Sequence, residues 1–265
     1  MGSCRTMAGW LILSGLALAA TARADEWDVG GDADNAFTTD NLVAHGAEQV
    51  HDLSVLPGPA ADQDWFLAPT HPFSSYQFRV DGTTGELDLV SSSVQRLSNN
   101  GGTALQSALV EEFGGSLSLD WFGPAAVGAT PILNWVRVQG AACGTACSPL
   151  DRYRARFYDT TYTVPRFNNS GTQSTVLLMQ NTSRRTCLAT VFYFAANGSY
   201  TNHFDALAIS KLELAIINTA VSLPGQSGSI RVVHTCGYGA IAGKAVAVEP
   251  ATGFTFETAM APRPH

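Results

Sequence analysis

Three arginines, Arg152, Arg154 and Arg156, stand at alternate positions of one short run. On a strand, alternate side chains share a face about 7 Å apart, so the three make a ladder of guanidinium groups. Such a ladder could grip an anionic polysaccharide or a carboxylate-rich partner. Equally, it could pair with acids of the same molecule or be an ordinary solvated sheet face. The segment Gly225-Gln226-Ser227-Gly228-Ser229 sets a serine among glycines. Its spacing is not the G-x-S-x-G of a strained nucleophile elbow. His203 and His234 could be invoked as bases, but no aspartate stands in a recognisable triad context. Following Leu223-Pro224, the segment reads as a turn entering a strand at Ile230, and no catalytic residue is assigned. Trp27, Trp65, Trp121 and Trp135 could supply aromatic platforms. Trp65 and Trp135 lie in strand-like runs and read as core; Trp121-Phe122 before Gly123-Pro124 is the pair best placed to be exposed, though burial is the favoured reading for it too. Asn168, Asn181 and Asn197 head N-x-S/T triplets, which mark surface loops where a host glycosylates.

The elements that would position these groups are strands. Tyr76, Phe78 and Val80 alternate with Gln77 and Arg79; Val136 and Val138 flank Arg137; Tyr153, Ala155 and Phe157 alternate with the three arginines. Period two is the mark of a strand with one buried face. Leu117 and Leu119 repeat the pattern into Trp121. Turn signals separate the runs: Pro57-Gly58-Pro59, Asp81-Gly82, Asn99-Asn100-Gly101-Gly102 and Gly123-Pro124. The segment from Val164 to Gly171 reads as a linker. A second set of strands is expected at Ser174–Met179, Thr190–Phe194, Ser229–Val233, Lys244–Val248 and Phe254–Thr258. Leu207 to Ile217 carries both a helical and a strand spacing, and the surrounding pattern favours strand. The expected fold is all-β, two antiparallel β-sandwich domains in series.

The chain's beginning supplies an address. Arg5, the apolar run Trp10 to Ala20 and the small-x-small motif Ala22-Arg23-Ala24 have the layout of a secretory signal peptide over residues 1–24, with cleavage after Ala24. No later stretch is long and apolar enough for a membrane span. The formal charge of −7 becomes more negative once Arg5 and Arg23 are removed. Nucleic acid is therefore an unsuitable partner, since binding it needs a basic surface. Residues 25–41 form an acidic extended arm, and Asp25 to Asp64 contains no lysine or arginine. With Cys4 in the signal, four cysteines remain, which in an exported chain read as two disulfides. Three pairings are allowed, and Cys143–Cys147 with Cys187–Cys236 is favoured. Loop-closure entropy assigns them roughly 2 and 4 kcal/mol.

Residues 42–165 resemble the bacterial pre-peptidase C-terminal domain, a β-sandwich appended to secreted proteases and other exported proteins. The resemblance rests on Asp62-Gln63-Asp64-Trp65-Phe66, on Tyr76-Gln77-Phe78-Arg79-Val80 and on Asp151-Arg152-Tyr153-Arg154-Ala155-Arg156-Phe157. Residues 166–265 look like a second β-sandwich domain of the kind found in uncharacterised secreted bacterial proteins. The resemblance implies a calcium site where the acidic arm meets the loop before the Asp-Trp strand, with Asp32, Asp34, Asn35 and Asp40 from the arm and Asp62 and Asp64 from the loop. Carboxylates and an amide carbonyl are the oxygen donors a hard cation takes. The functional expectation is a secreted, non-enzymatic binding or scaffolding protein, with an extracellular polysaccharide or protein as ligand. The alternatives are an accessory or inhibitory partner of a separate exported peptidase and, last, a hydrolase with an unfamiliar site.

Overall fold

A computed structural model of the chain describes residues 27, 39–52, 63–82, 93–97, 103–109, 116–126, 128–140 and 152–262. The signal segment, most of the acidic arm and the Cys143–Cys147 pair lie outside the described residues. The first eight strands are β1 (Glu48–Asp52), β2 (Gln63–Thr70), β3 (Ser75–Gly82), β4 (Ser93–Leu97), β5 (Ala104–Leu109), β6 (Ser116–Phe122), β7 (Ile132–Gln139) and β8 (Arg152–Asp159). They pair antiparallel into two sheets, ordered β1-β8-β3-β6 and β2-β7-β4-β5. Alternation decides which face each strand buries. Tyr76, Phe78 and Val80 of β3 point inward with Tyr153, Ala155 and Phe157 of β8, and meet Phe66, Val94, Val136 and Val138 from the other sheet. Tyr76 stacks on Phe157 at 5.5 Å, and Phe66 lies 5.1 Å from Phe78. Burying each such ring contributes about 1.5–3 kcal/mol.

The remaining elements are β9 (Tyr162–Asn168), β10 (Ser174–Asn181), β11 (Cys187–Ala195), β12 (Tyr200–Ile209), β13 (Leu214–Asn218), a one-turn helix α1 (Thr219–Ser222), β14 (Ser227–His234), β15 (Ile241–Glu249), β16 (Phe254–Ala259) and the two-residue β17 (Ala261–Pro262). They form a five-stranded sheet, β12-β11-β14-β9-β17, and a four-stranded sheet, β13-β10-β15-β16. Between them lies a second core, with Val164, Leu177, Met179, Val191, Ile230 and Val232 fully buried. The disulfide Cys187–Cys236 is present, joining β11 to the loop after β14, at the edge of this core.

The all-β expectation holds, and the five strands expected from Ser174 onward are all present. The segment from Leu207 to Ile217 is strand, turn and strand; Leu212, at φ 59°, occupies the turn that breaks any helical reading. The linker expected at Val164 to Gly171 is a correction. Its first five residues lie within β9, paired to β14. Pro165 is accommodated because the ladder slips there, between Val164↔Ile230 and Phe167↔Gly228. A bulge is one of the few places in a sheet that tolerates a residue without an N–H.

Candidate functional site: the seam between the two sandwiches

The passage from one sandwich to the other takes two residues, Thr160 and Thr161, both buried. Their polar groups are matched locally. Thr160 donates its amide to the Ser75 carbonyl at 2.8 Å and its hydroxyl to Ser75 Oγ at 2.8 Å. Ser75 donates its amide to Thr161 Oγ1 at 3.0 Å, and the Thr161 amide donates to Asp159 Oδ1 at 2.9 Å. From the second sandwich, the His234 amide donates to Ser75 Oγ at 3.2 Å. A buried crossing with every one of these groups bonded is a fixed joint rather than a hinge.

Side chains on both flanks tighten the joint. Gln77, buried on β3, donates to Asp120 Oδ1 at 3.0 Å and accepts from the Tyr238 amide at 3.2 Å. A Cβ on Gly237 would stand 2.7 Å from Gln77 Nε2, so a larger residue there would have to displace the Gln77 amide. Arg185 pairs with Asp120 at 3.0 Å. Burial raises the Asp120 pKa, and the hydrogen bonds and charge of Arg185, with the bond from Gln77, act against that rise. Tyr158 of β8 stacks on Tyr238 at 4.8 Å, and the His45 ring meets both edge-on. His234 is buried and stacks on Tyr162 at 5.7 Å. Desolvation lowers its pKa from 6.5 to about 4, so it is neutral at the joint.

The opposite flank holds an aromatic cleft. Phe73, in the turn between β2 and β3, has φ 55°, a conformation L-residues rarely adopt. Its ring packs on the outer face of the second sandwich, stacking on Tyr200 at 5.3 Å and meeting Phe192 and Phe194 edge-on at 5.0 and 5.3 Å. Arg231 closes this cluster from the side, its guanidinium 4.8 Å above the Phe194 ring and donating to the Pro72 carbonyl at 3.4 Å. In front lies a cleft of about 360 Å³. Its aromatic walls are Phe73, Phe122, Phe192 and Tyr200, and its polar groups come from Ser74, Thr190 and His203. Among the described residues no Asp, Glu, Lys or Arg lines it. The Phe122 ring is 45% exposed, and His203 is exposed with its Nδ1 hydrogen-bonded to the Tyr200 hydroxyl. Gly123 keeps the wall close, since a Cβ there would stand 2.2 Å from the His71 carbonyl oxygen.

The residues singled out in the sequence take other places. Arg152, Arg154 and Arg156 do share the outer face of β8. Arg156 is held by Glu48 at 2.5 Å and Asp81 at 2.7 Å, and Arg154 reaches Glu48 at 3.4 Å. Donating to the Glu48 carboxylate keeps Arg156 above its ordinary pKa. Burial would raise Asp81, but bonds from Ser116 and Arg79 and the charges of Arg79 and Arg156 hold it below the usual carboxylate range. Of the six carboxylates and amides expected at calcium, Asp32, Asp34, Asn35 and Asp62 lie outside the described residues. Asp40 is exposed, whereas Asp64 is buried and accepts from the Tyr153 hydroxyl. No three metal-ligating side chains are gathered among the described residues. Of the pair best placed to be exposed, Trp121 is buried, with the Arg96 guanidinium 5.7 Å over its ring, and Phe122 alone faces solvent at the cleft. Trp65 is core, with the Arg137 guanidinium 5.4 Å over its ring. Trp27, from the acidic arm, stacks on His51 at 5.3 Å. Ser227 opens β14, and no histidine or carboxylate lines the cavity beside it.

Sequence reasoning missed Phe73, Tyr200, Thr190 and His203 as partners. The available signal was the turn His71-Pro72-Phe73-Ser74, where a large ring follows proline in a segment expected to be polar.

Among the described residues no helix is long and apolar enough to cross a membrane. No protein-family model matches the chain, and no curated protein does. Among solved structures, the full extracellular region of zebrafish Gpr126/Adgrg6 is similar at 10% identity and a TM-score of 0.25, over 82% of this chain. The alignment spans 30% of that receptor region's length. The N-terminal CBM22-1-CBM22-2 tandem domain of Paenibacillus barcinonensis Xyn10C is similar at 8% identity and a TM-score of 0.21, covering 83% of this chain and 92% of that one.

Proposed function

We propose that the protein is a secreted, non-enzymatic binding module that seats a neutral saccharide unit of an extracellular polysaccharide in the cleft at the seam. One observation carries this reading: a concave site of about 360 Å³, shared by both sandwiches, combines aromatic walls with a few hydroxyl and imidazole groups and no charge. Apolar clefts with a small number of placed polar groups are the usual form of small-ligand sites. A sugar ring offers an apolar C–H face to Phe122 or Tyr200 and hydroxyls to Thr190, Ser74 and His203. The fixed joint supports the reading too, because it holds the two walls in register before ligand arrives and so lowers the ordering cost of binding. Export is supported by the signal-like first 24 residues and by the Cys187–Cys236 disulfide.

The test is affinity electrophoresis of the purified protein through gels containing neutral glucan, xylan or mannan, against anionic alginate and polygalacturonate. Retardation by a neutral polymer that is lost in Tyr200→Ala and Phe122→Ala supports the reading. Retardation only by the anionic polymers, or retention unchanged in both variants, overturns it.

A further inference from the structure

The second sandwich has an uncovered margin. In the β15–β16 ladder, Ala245, Ala247 and Glu249 stand opposite Thr258, Phe256 and Phe254, so all six share one face of the sheet. Ala245 on that face is buried in the core. Phe254 and Phe256 nevertheless remain 63% and 54% exposed. The opposing sheet ends in β17, only two residues long, and therefore stops short of covering them. The margin is closed at one end, where Met260 is buried and its amide donates to the Gly243 carbonyl at 3.0 Å. Toward Phe254 it opens into a wedge of about 190 Å³.

The lining of this wedge carries both charges. Arg166 of β9 lines it and has no ion-pair partner among the described residues. Glu249 lines it as well, one oxygen accepting from the Thr172 hydroxyl at 2.6 Å. The two are not paired with each other. A simple anion would meet Glu249, and a simple cation would meet Arg166. A ligand with both charges and one apolar group meets Arg166, Glu249 and the two phenylalanines, and Asn168, Gln173, Thr175 and Thr258 add uncharged polar groups to the lining. Its size is set by the volume, which falls below the range of about 300–1,000 Å³ usual for drug-sized ligands.

We propose that this wedge is a second binding site, independent of the seam, for a single apolar α-amino acid in its zwitterionic form. The carboxylate pairs with Arg166, which offers it a planar fork of donors. The ammonium pairs with Glu249, and the side chain lies against Phe254 and Phe256.

Isothermal titration of the purified protein with L-leucine and L-phenylalanine tests this, alongside N-acetyl-L-leucine and L-leucinamide. The free amino acids bind, and each blocked analogue, having lost one charge, binds about tenfold more weakly or worse. Glu249→Gln erases the preference over N-acetyl-leucine, and Arg166→Gln erases the preference over leucinamide. Tyr200→Ala changes neither, which separates this site from the seam. Arg166 is exposed and Glu249 half-buried, and an unchanged unfolding midpoint confirms that each variant is folded. Equal affinity for free and blocked forms, no heat at millimolar ligand, or wild-type affinity in both folded variants would overturn the proposal.

Discussion

His234 and Ser75, 159 residues apart, are joined by a hydrogen bond of 3.2 Å from the His234 amide to the Ser75 hydroxyl oxygen. The same oxygen accepts from Thr160, so one hydroxyl serves the end of the first sandwich and the last residue of β14. Ser75→Ala leaves these donors unsatisfied in a buried place, at a cost of about 1–3 kcal/mol. Because both sandwiches lean on this oxygen, chemical denaturation should show a single transition in the wild type, moved to lower denaturant in the variant. Two separate transitions in the wild type would show that the sandwiches unfold independently.

Phe73 pairs backbone strain with a central aromatic contact. Truncation to alanine removes its contacts with Phe192, Phe194 and Tyr200. A buried phenylalanine lost in this way typically costs about 3–5 kcal/mol. Phe73→Gly relieves the strain at φ 55° as well, which returns about 1–3 kcal/mol. The glycine variant should therefore melt no lower than the alanine variant, a reversal of the usual order that calorimetry can read.

Protonation should loosen the joint. The His234 pKa falls from 6.5 to about 4 on folding, because burial penalises its charged form. Between those values the unfolded chain binds more protons than the folded one, so stability rises with pH across the window and is lost as pH falls through it. The full effect is about 3 kcal/mol. His234→Asn keeps an acceptor for the Cys236 amide, which His234 Nδ1 now provides at 3.2 Å. Denaturation midpoints measured between pH 7 and pH 4 should decline less steeply in that variant.

The arginine ladder makes a charge prediction. Glu48 and Asp81 satisfy Arg154 and Arg156 on the outer face of β8; the pairs with Glu48 are solvent-accessible and worth about 0–1 kcal/mol each, and the Arg156–Asp81 pair is half-buried. Glu48→Gln with Asp81→Asn should cost little stability while freeing three guanidinium groups, those of Arg79, Arg154 and Arg156. Retention on immobilised heparin should then increase over wild type, most clearly at low salt.

The Cys187–Cys236 bond closes a long loop, with a sequence separation of 49. Replacing both cysteines with alanine should lower stability by roughly 4 kcal/mol, measured by chemical denaturation against the oxidised protein.

What could be read from the sequence was local. The alternation of Tyr153, Ala155 and Phe157 with Arg152, Arg154 and Arg156 places β8 and its two faces, because a strand's period is set by its own backbone. The Cys187–Cys236 bond is the one favoured among the three pairings that four cysteines allow. The joint was not. Gln77, Thr160, Thr161 and His234 look like ordinary strand and turn residues, and their partners lie in the other sandwich or a distant strand. Pro165 and the Asn-Asn-Ser-Gly that follows read as a linker because a bulge and a linker carry the same breaker residues. Phe254 and Phe256 alternate like core residues, and their exposure depends on how far the opposing strand extends.

The shortness of β17 also decides how the molecule would respond to a pull. Its two register pairs, Ala261↔Thr163 and Pro262↔Tyr162, hold the chain beside the start of β9, directly after the crossing at Thr161. Tension applied beyond Pro262 would open those pairs one after the other, as a zipper yields, and reach Met260 next. The long ladder between β10 and β15 would be spared until that plug was drawn. The outermost segment would thus give way first at low force, leaving the aromatic seam intact.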